Sequence, residues 1–186
     1  MVDKVRFWSD AKVEPKRSFR WYFVLAGDNE QIETYAIKTV KKPSFAVTEV
    51  PHQYVAHTFY FPGRVTWNTV DVTFVDPVVP DQSAAITNMF LGAGYRVPKD
   101  RATAEISLSK QGFVDSIGSP QIVQIDADGK PLDTWTLNNA FFTSVDYGQL
   151  DYASEDLVIT SVTLRYDFAT MDNSENGGDP ASKLTP

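Results

Sequence analysis

The 186-residue sequence contains no cysteine and only two histidines, His52 and His57. The lack of cysteine excludes disulfides, thiolate metal sites and cysteine nucleophiles. The sequence also lacks any apolar run close to the roughly 20 residues of a membrane span, and its first residues hold no apolar signal region. We therefore expect a protein that is made in a cytoplasm and does not insert into membranes.

Positive charge is in short supply. Seventeen Lys and Arg residues face 24 Asp and Glu residues, which gives a net charge of -7 and a pI near 4.8. Tight nucleic-acid binding needs basic side chains that displace counterions from phosphates, so the composition argues against it. A conduit that lets DNA pass without holding it remains compatible with this charge, and so does ordinary solubility.

Patterns of catalytic and metal-binding residues are lacking too. His52 and His57 are five residues apart, so they would face opposite sides of one continuous strand and make a poor metal pair. The stretch from Asp126 to Gly129 resembles the start of a calcium loop, but Pro131 and Leu137 occupy the positions of its required glycine and glutamate. We predict no metal site and no cofactor.

One turn-rich stretch holds four carboxylates, and paired carboxylates can hydrolyse glycosides. Neither differing environments nor a sugar cleft is indicated, so solvated turn acids are the better interpretation. We predict that the protein is not an enzyme and has no catalytic residue. The four acids are Asp146, Asp151, Glu155 and Asp156.

The sequence is rich in strand-forming patterns. Apolar residues make up 42% of the chain and aromatic residues 13%, which is enough for a packed core. In the stretch from Val158 to Phe168, apolar residues alternate with polar ones, as in a strand with one buried face. On this apolar side only Thr160 is polar, and the side includes Val158, Val162, Leu164, Tyr166 and Phe168.

Further strands are predicted at 18–25, 31–41 and 65–75, and a hairpin is predicted to turn through Asp128-Gly129. Asp81 is a good N-cap for a helix that ends near Gly92. We expect residues 95–118 to be mostly loop with one short strand at 103–109. The predicted organisation is an arm at 1–17, a β domain at 18–170 and a polar flexible tail at 171–186.

The segment from Pro43 to Arg64 is apolar and aromatic, yet prolines at positions 43, 51 and 62 interrupt it. Proline lacks the N–H that a central strand needs. We therefore expect an extended excursion whose apolar side is covered by another subunit, with a plain hairpin closed near Pro62-Gly63 as the alternative. The expected interface residues are Phe45, Val47, Val50, Tyr54, Val55, Phe59, Tyr60 and Phe61.

From about Pro15 to Phe168 the chain resembles the tail-tube proteins of contractile bacteriophages, whose fold is related to the tube proteins of type VI secretion systems. The stretch from Gly118 to Phe168 carries the clearest motifs. The resemblance is to an ordered set: a DG hairpin, a W-T-L strand, a V-x-Y-G-x-L-D-Y-x-S-x-D turn and a T-L-x-Y-D strand. The matching residues are Asp128, Gly129, Trp135, Gly148, Leu150, Asp151, Tyr152, Ser154, Asp156, Leu164, Tyr166 and Asp167.

We expect an all-β fold of about eight strands, in two packed antiparallel sheets or a flattened barrel, with one flanking helix. The resemblance implies a structural subunit of a virion tail tube. Such subunits form hexameric rings that stack into a channel for genome DNA, and a long loop after the second strand packs on the next ring.

The resemblance also implies partners: further copies of the chain, tail sheath, baseplate or tube initiator, tape measure and tail terminator. DNA would pass without specific binding. Two polar strand faces are candidates for the channel wall, namely Thr69, Asp71 and Thr73, and Ser161, Thr163, Arg165 and Asp167. The alternatives are a tube subunit of a type VI secretion system or contractile bacteriocin, and a monomeric β-sandwich that binds a ligand or glycan.

Overall fold

The computed structural model describes residues 14–25, 27, 32 and 34–173. The predicted arm lies outside the described residues up to position 13, and the predicted tail lies outside them from position 174. The strands are β1 Trp21–Val24, β2 Ile37–Val40, β3 Phe45–Tyr54, β4 His57–Trp67, β5 Val70–Val75, β6 Gln121–Ile125, β7 Pro131–Asn138, β8 Phe141–Asp146, β9 Ile159–Arg165 and β10 Phe168–Asn173. The helices are α1 Gln82–Gly92, α2 Arg101–Ala104 and α3 Lys110–Ile117, and a 3-10 turn spans Thr34–Ala36.

The strands form two four-stranded antiparallel sheets and one separate hairpin. Sheet 1 has the order β1-β6-β7-β10, and sheet 2 has the order β2-β5-β9-β8. The third unit is the β3-β4 hairpin, which pairs with neither sheet. Two of the crossings between the sheets are short, at 139–140 and 166–167. The predicted pair of packed antiparallel sheets is confirmed, although neither sheet closes into a barrel within the described residues.

The core lies between the two sheets and under α1 and α3. Phe23 and Leu137 face it from sheet 1, and Phe74 and Leu164 face it from sheet 2, all fully buried. Burying one such side chain contributes about 1.5–3 kcal/mol. Alternation of apolar and polar residues along each strand places these side chains on the inner faces.

The predicted strand from Val158 to Phe168 is two strands. Val162, Leu164 and Tyr166 are buried as expected, but the chain bends after Arg165 and enters sheet 1 as β10. Phe168 is consequently exposed, and the prediction that it shares the buried face is wrong. Thr160 is fully buried, and its hydroxyl lies 3.2 Å from that of Ser83 on α1.

The predicted hairpin at Asp128-Gly129 is present, but its loop is longer than two residues. Only Gly129 has a positive φ, of 81°. The carboxylate of Asp126 accepts hydrogen bonds from the backbone N–H groups of Asp128 and Lys130, each at 2.8 Å. The aspartate that resembles a calcium ligand therefore closes a turn, as Asp side chains commonly do.

Helix α1 begins where the sequence predicts. The carboxylate of Asp81 accepts a hydrogen bond from Ala84 N at 2.8 Å, and that of Asp76 accepts bonds from Gln82 N and Ser83 N. These contacts satisfy N–H groups that a helix start leaves free.

The prediction of a mostly irregular segment at 95–118 is wrong, because it contains α2 and α3. Ser109 caps α3 by accepting a hydrogen bond from Gly112 N at 3.0 Å. A Cβ at Gly112 would lie 2.5 Å from the carbonyl oxygen of Ala93, so this glycine lets α3 approach the end of α1. Phe113 and Ile117, at helical spacing, are buried.

Two early strands are shorter than predicted. The first begins at Trp21, three residues after the predicted start, and Phe19 before it is exposed. The second begins only at Ile37, after the 3-10 turn. None of the helices in the described part of the chain is long and apolar enough to cross a membrane.

Candidate assembly surfaces

The outer face of sheet 2 is lined by hydroxyl groups. Strand register places Thr39, Thr73, Ser161 and Asp146 in one row across the four strands. The next row on this face contains Asp71, Thr163 and Ser144, and it is extended by a hydrogen bond from Lys41 N to Asp71 O. We call this surface the polar face.

Most of the predicted channel residues lie together on this surface. Asp71, Thr73, Ser161, Thr163 and Arg165 belong to the adjacent strands β5 and β9. The Thr163 hydroxyl donates a 3.0 Å hydrogen bond to the Asp71 carboxylate, and the hydroxyls of Thr39 and Thr73 are 2.5 Å apart. The two strand faces that the sequence offers as separate candidates are therefore one surface.

The remaining two predicted channel residues flank the strands. Thr69 immediately precedes β5, at the level of Arg165. Asp167 lies beyond the end of β9, where its carboxylate accepts hydrogen bonds from Lys110 Nζ at 2.5 Å and Asn139 Nδ2 at 2.8 Å. These two donors lower the pKa of Asp167. Asp167 therefore connects α3 to the turn between the sheets.

Charges on the polar face are balanced. Its acids are Asp71 and Asp146, and its bases are Lys41 and Arg165. Hydroxyl side chains occupy the positions between them. A surface of this kind neither attracts nor repels phosphate strongly. The net negative charge of the chain must therefore lie elsewhere, and part of it lies in the loop after β8.

The segment at 43–64 forms a long hairpin that projects from the domain. Every residue of β3 is exposed, and so is every residue of β4 except the half-buried Gly63 and Trp67. Pro51 and Pro62 are both within paired strands. In a two-stranded ribbon each strand has one side without a partner. A proline whose nitrogen lies on that side removes no hydrogen bond between the two strands. The segment is thus an exposed hairpin that turns at 55–56, and not near Pro62-Gly63 as the alternative predicted.

A bulge divides this hairpin into a base and a tip. Thr48 on β3 opposes both Gly63 and Arg64 on β4, and its hydroxyl accepts a 2.9 Å hydrogen bond from Arg64 N. A Cβ at Gly63 would lie 2.3 Å from the Thr48 hydroxyl, which explains the glycine. Such bulges bend and twist a ribbon.

The predicted interface residues separate into four groups on the hairpin. Phe45 and Val47 lie at the base, and Val55 is in the turn, with a φ of 53° and an exposed fraction of 93%. Tyr60 lies on one face of the tip, beside Pro51. The opposite face of the tip forms an apolar stripe, which we call the tip stripe; it consists of Val50, His52, Tyr54, His57, Phe59 and Phe61.

The prediction that His52 and His57 face opposite sides of one continuous strand is wrong. The turn at 55–56 places His52 and His57 on opposite strands, and the pairs His52–Phe59 and Tyr54–His57 put both on the tip stripe. The ring of His52 lies 6.4 Å from that of Phe61. Within the described residues no group of three or more metal-ligating side chains surrounds them or lies elsewhere.

Aromatic side chains connect the hairpin base to the domain. The Phe45 ring is 5.2 Å from that of Trp67, which is 5.9 Å from the ring of the buried Tyr166. Burial raises the pKa of Tyr166, while the Ser44 backbone and the charge of Arg165 oppose this shift. Aromatic packing of this kind fixes the base while the tip stays exposed.

Both outer strands of sheet 2 have one free edge. Within the described residues β2 pairs only with β5, and β8 pairs only with β9. Free edges expose backbone N–H and C=O groups that can form hydrogen bonds with a further strand. Residues 34–42, at the β2 edge, carry three lysines and no acid.

Asp146 at the end of β8 and the residues that follow it form a loop of opposite charge, which we call the acidic loop, residues 146–158. It carries all four clustered acids and no lysine or arginine. Asp146 and Asp151 accept hydrogen bonds from the backbone of Gly148 and Ala153, each at 2.9 Å, and Asp156 accepts one from the Ser154 hydroxyl. Asp146, Asp151 and Asp156 are thus engaged in shaping turns, which does not favour a catalytic pair.

Comparison with known proteins gives matches at the level of structure. No protein-family model and no curated protein matches the sequence. Several solved structures contain similar chains. A chain from the anti-feeding prophage tube-terminating cap has a TM-score of 0.64 and 19% identity, over 93% of this chain and 99% of that chain. A chain from the anti-feeding prophage baseplate has a TM-score of 0.63 and 15% identity, over 88% and 99%. The SPP1 tail tube has a TM-score of 0.54 and 14% identity, over 92% and 87%.

A chain from the sheath-tube complex of an extracellular contractile injection system aligns as well, with a TM-score of 0.59 and 18% identity over 86% of this chain and 92% of that one. Because these identities are low, the matches establish the fold alone. The chain has the tail-tube fold, with two packed antiparallel sheets and a long hairpin.

Proposed function

We propose that this protein is a structural subunit of a tail tube, which assembles into hexameric rings that stack around a channel. The observation that carries the proposal is the exposed hairpin on a domain with the tail-tube fold. An apolar stripe of this length, projecting from a folded domain, favours burial against another subunit. Similarity to tube, cap and baseplate chains of contractile systems supports the same role.

Ring closure would join the free edges of sheet 2. Neighbouring strands in the order β2-β5-β9-β8 are antiparallel, so β2 and β8 run in opposite directions. A rotation about a ring axis preserves strand direction. Strand β8 of one copy would therefore meet β2 of the next copy in an antiparallel pair, and the sheet would continue around the ring without exposed edges.

Such a ring would direct the polar faces of all six copies toward the channel. The hydroxyl groups can form hydrogen bonds with water. Because the charges between them are balanced, the wall produces no strong electrostatic potential that would attract or repel phosphate. We infer that genome DNA passes this wall without specific binding, as in the inner tube of a phage tail. A tube of an extracellular injection system would use the same wall for another cargo.

The tip stripe would mediate stacking between rings. Its exposed aromatic and aliphatic side chains lie on one face, so one neighbouring surface could cover them together. The expected partners at the ends and outside of the tube are a tail sheath, a baseplate or tube initiator, a tape measure protein and a tail terminator. In this role the protein is a virion component and not an enzyme.

Electron microscopy of the purified protein at high concentration, with mass photometry, tests the proposal. We expect rings or hollow tubes and a mass peak at six subunits. Addition of short preformed tubes as seeds should give tubes even where free subunits remain monomeric. A strict monomer that never extends such seeds would contradict the proposal and favour a monomeric binding module.

A further inference from the structure

The acidic loop contains a groove that the domain itself leaves open. The groove has a volume of about 620 Å³. Leu150, Leu157 and Val158 supply apolar walls, and Asp151 and Asp156 supply carboxylates. Leu150 is 82% exposed and Leu157 is 70% exposed. A preformed groove with apolar walls and negative charge fits an apolar ring that lies beside a positive charge.

At the opposite edge of sheet 2, one exposed aromatic residue lies beside lysines. Tyr35, in the 3-10 turn before β2, is 68% exposed. Lys38 and Lys41 follow it, and within the described residues neither lysine side chain forms an ion pair. Lys42 differs, because its Nζ donates a hydrogen bond to Gln124. Lys41 belongs to the polar face, so Tyr35 and Lys38 are the aromatic ring and the positive charge that remain for a contact at this edge.

Strand register places the groove and Tyr35 at the same end of sheet 2. Thr39 of β2 and Asp146 of β8 lie in one row across the sheet. The acidic loop continues beyond Asp146, and Lys38 and Tyr35 precede Thr39, so both features extend past this row. When β8 of one copy lies beside β2 of the next, the groove of the first copy and Tyr35 of the next lie at the same end of the joined sheet.

From this geometry we propose that the acidic loop of each subunit binds Tyr35 and Lys38 of a second copy of this chain within the ring. The Tyr35 ring enters the groove between Leu150 and Leu157, and Lys38 lies against the loop carboxylates. This inference rests on the proposed function and adds a side-chain contact to the backbone pairing of edges. Complementary charge at such a contact sets which edges meet and speeds their encounter.

Cysteine crosslinking tests the contact directly, because the natural chain has no cysteine. The variant Tyr35→Cys with Leu150→Cys, assembled and then oxidised, should give a ladder of disulfide-linked species up to the ring size on a denaturing gel. Tyr35→Cys alone should give no ladder. A matched control is Val97→Cys with Leu150→Cys, since Val97 is also exposed but lies between α1 and α2.

Charge exchange tests the electrostatic part. Within the described residues neither the Glu155 nor the Lys38 side chain forms an ion pair, so both can be changed without disturbing the subunit. Glu155→Lys and Lys38→Glu should each raise the concentration needed for assembly about tenfold, because like charges would then face each other. The combined variant should restore assembly. Lys99→Glu, which changes the net charge as Lys38→Glu does but lies just before α2, should leave the assembly concentration unchanged.

The outcomes separate this inference from the proposed function. A crosslinked ladder together with rescue by the charge exchange supports the contact. Normal rings or tubes without a ladder, and without an effect of Lys38→Glu, overturn the contact and leave the tube function intact. Failure of the unmodified protein to assemble or to extend seeds overturns both.

Discussion

Leu164 is fully buried near the end of β9, where it pairs with Val70 of β5 and Phe142 of β8. Leu164→Ala removes apolar contacts and leaves a cavity, so we expect the free energy of unfolding to fall by about 2–5 kcal/mol. Urea unfolding followed by tryptophan fluorescence measures this. Leu157→Ala, in the exposed acidic loop, is the matched control and should change stability by less than about 0.5 kcal/mol. A similarly small change at Leu164 would contradict its assignment to the core.

Asp167 makes a pH-dependent contribution at the turn between the sheets. Hydrogen bonds from Lys110 and Asn139 lower its pKa in the folded state, so the charged form is stabilised by folding. This contribution is present above the unfolded pKa of about 3.9 and is lost as the pH falls through the lower folded value. The carboxylate is partly exposed, and solvent screening limits the effect to about 1 kcal/mol or less.

Asp167→Asn should therefore lower the free energy of unfolding at neutral pH, and its difference from the natural protein should vanish in acid below the folded pKa. Unfolding curves measured over a series of acidic and neutral pH values give this difference. A difference that does not vary with pH would mean that the two hydrogen bonds to Asp167 contribute nothing in solution.

At the scale of elements, the hairpin combines a fixed base with an exposed tip. Removal of residues 50–61 and closure of the strands with Asn-Gly should abolish stacking into tubes, while the domain stays folded, because the core contains no tip residue. Circular dichroism and thermal unfolding check the fold, and electron microscopy checks assembly. Normal tubes from this variant would refute the stacking role.

The two faces of the tip allow a sharper comparison. Phe59→Ser and Phe61→Ser change the tip stripe, whereas Tyr60→Ser changes the other face at the same height. All three side chains are more than half exposed, so none should destabilise the subunit strongly. We expect the first two to weaken stacking more than the third. An equal loss from all three would mean that both faces are covered in the tube.

Among the elements, those with a local signal were predicted from the sequence. Helix α1 has an N-cap aspartate and a terminal glycine, and β9 alternates clearly, so both were found. Helix α3 was missed because it is short and contains Gly112, although the spacing of Phe113 and Ile117 indicated it. The bend after Arg165 was missed because alternation continues through Tyr166 and Phe168, and only tertiary structure directs the chain into the other sheet.

For the whole molecule, the candidate surfaces were predicted only in part. Exposure of the apolar segment at 43–64 follows from its prolines, and the hydroxyl-rich strands were identified as polar. Their union into one polar face depends on the pairing of β5 with β9, which links residues about 90 positions apart. The shared face of His52 and His57 depends on a turn with Val55 at positive φ, an uncommon conformation for a β-branched residue.

The accessibility of the polar face in the assembled tube shows which sheet of the subunit lines the channel. Ser144 on β8 and Asp172 on β10 are both exposed in the subunit, on sheet 2 and sheet 1 respectively. Because the chain lacks cysteine, Ser144→Cys and Asp172→Cys each introduce one unique thiol. In the free subunit, a small maleimide and a bulky polymer-linked maleimide should modify both variants. In intact tubes the bulky reagent should modify only Asp172→Cys, since the channel would exclude it from Ser144→Cys while the small reagent diffuses in. Rapid modification of Ser144→Cys by the bulky reagent in tubes would place the polar face outside, and sheet 1 would then have to line the channel.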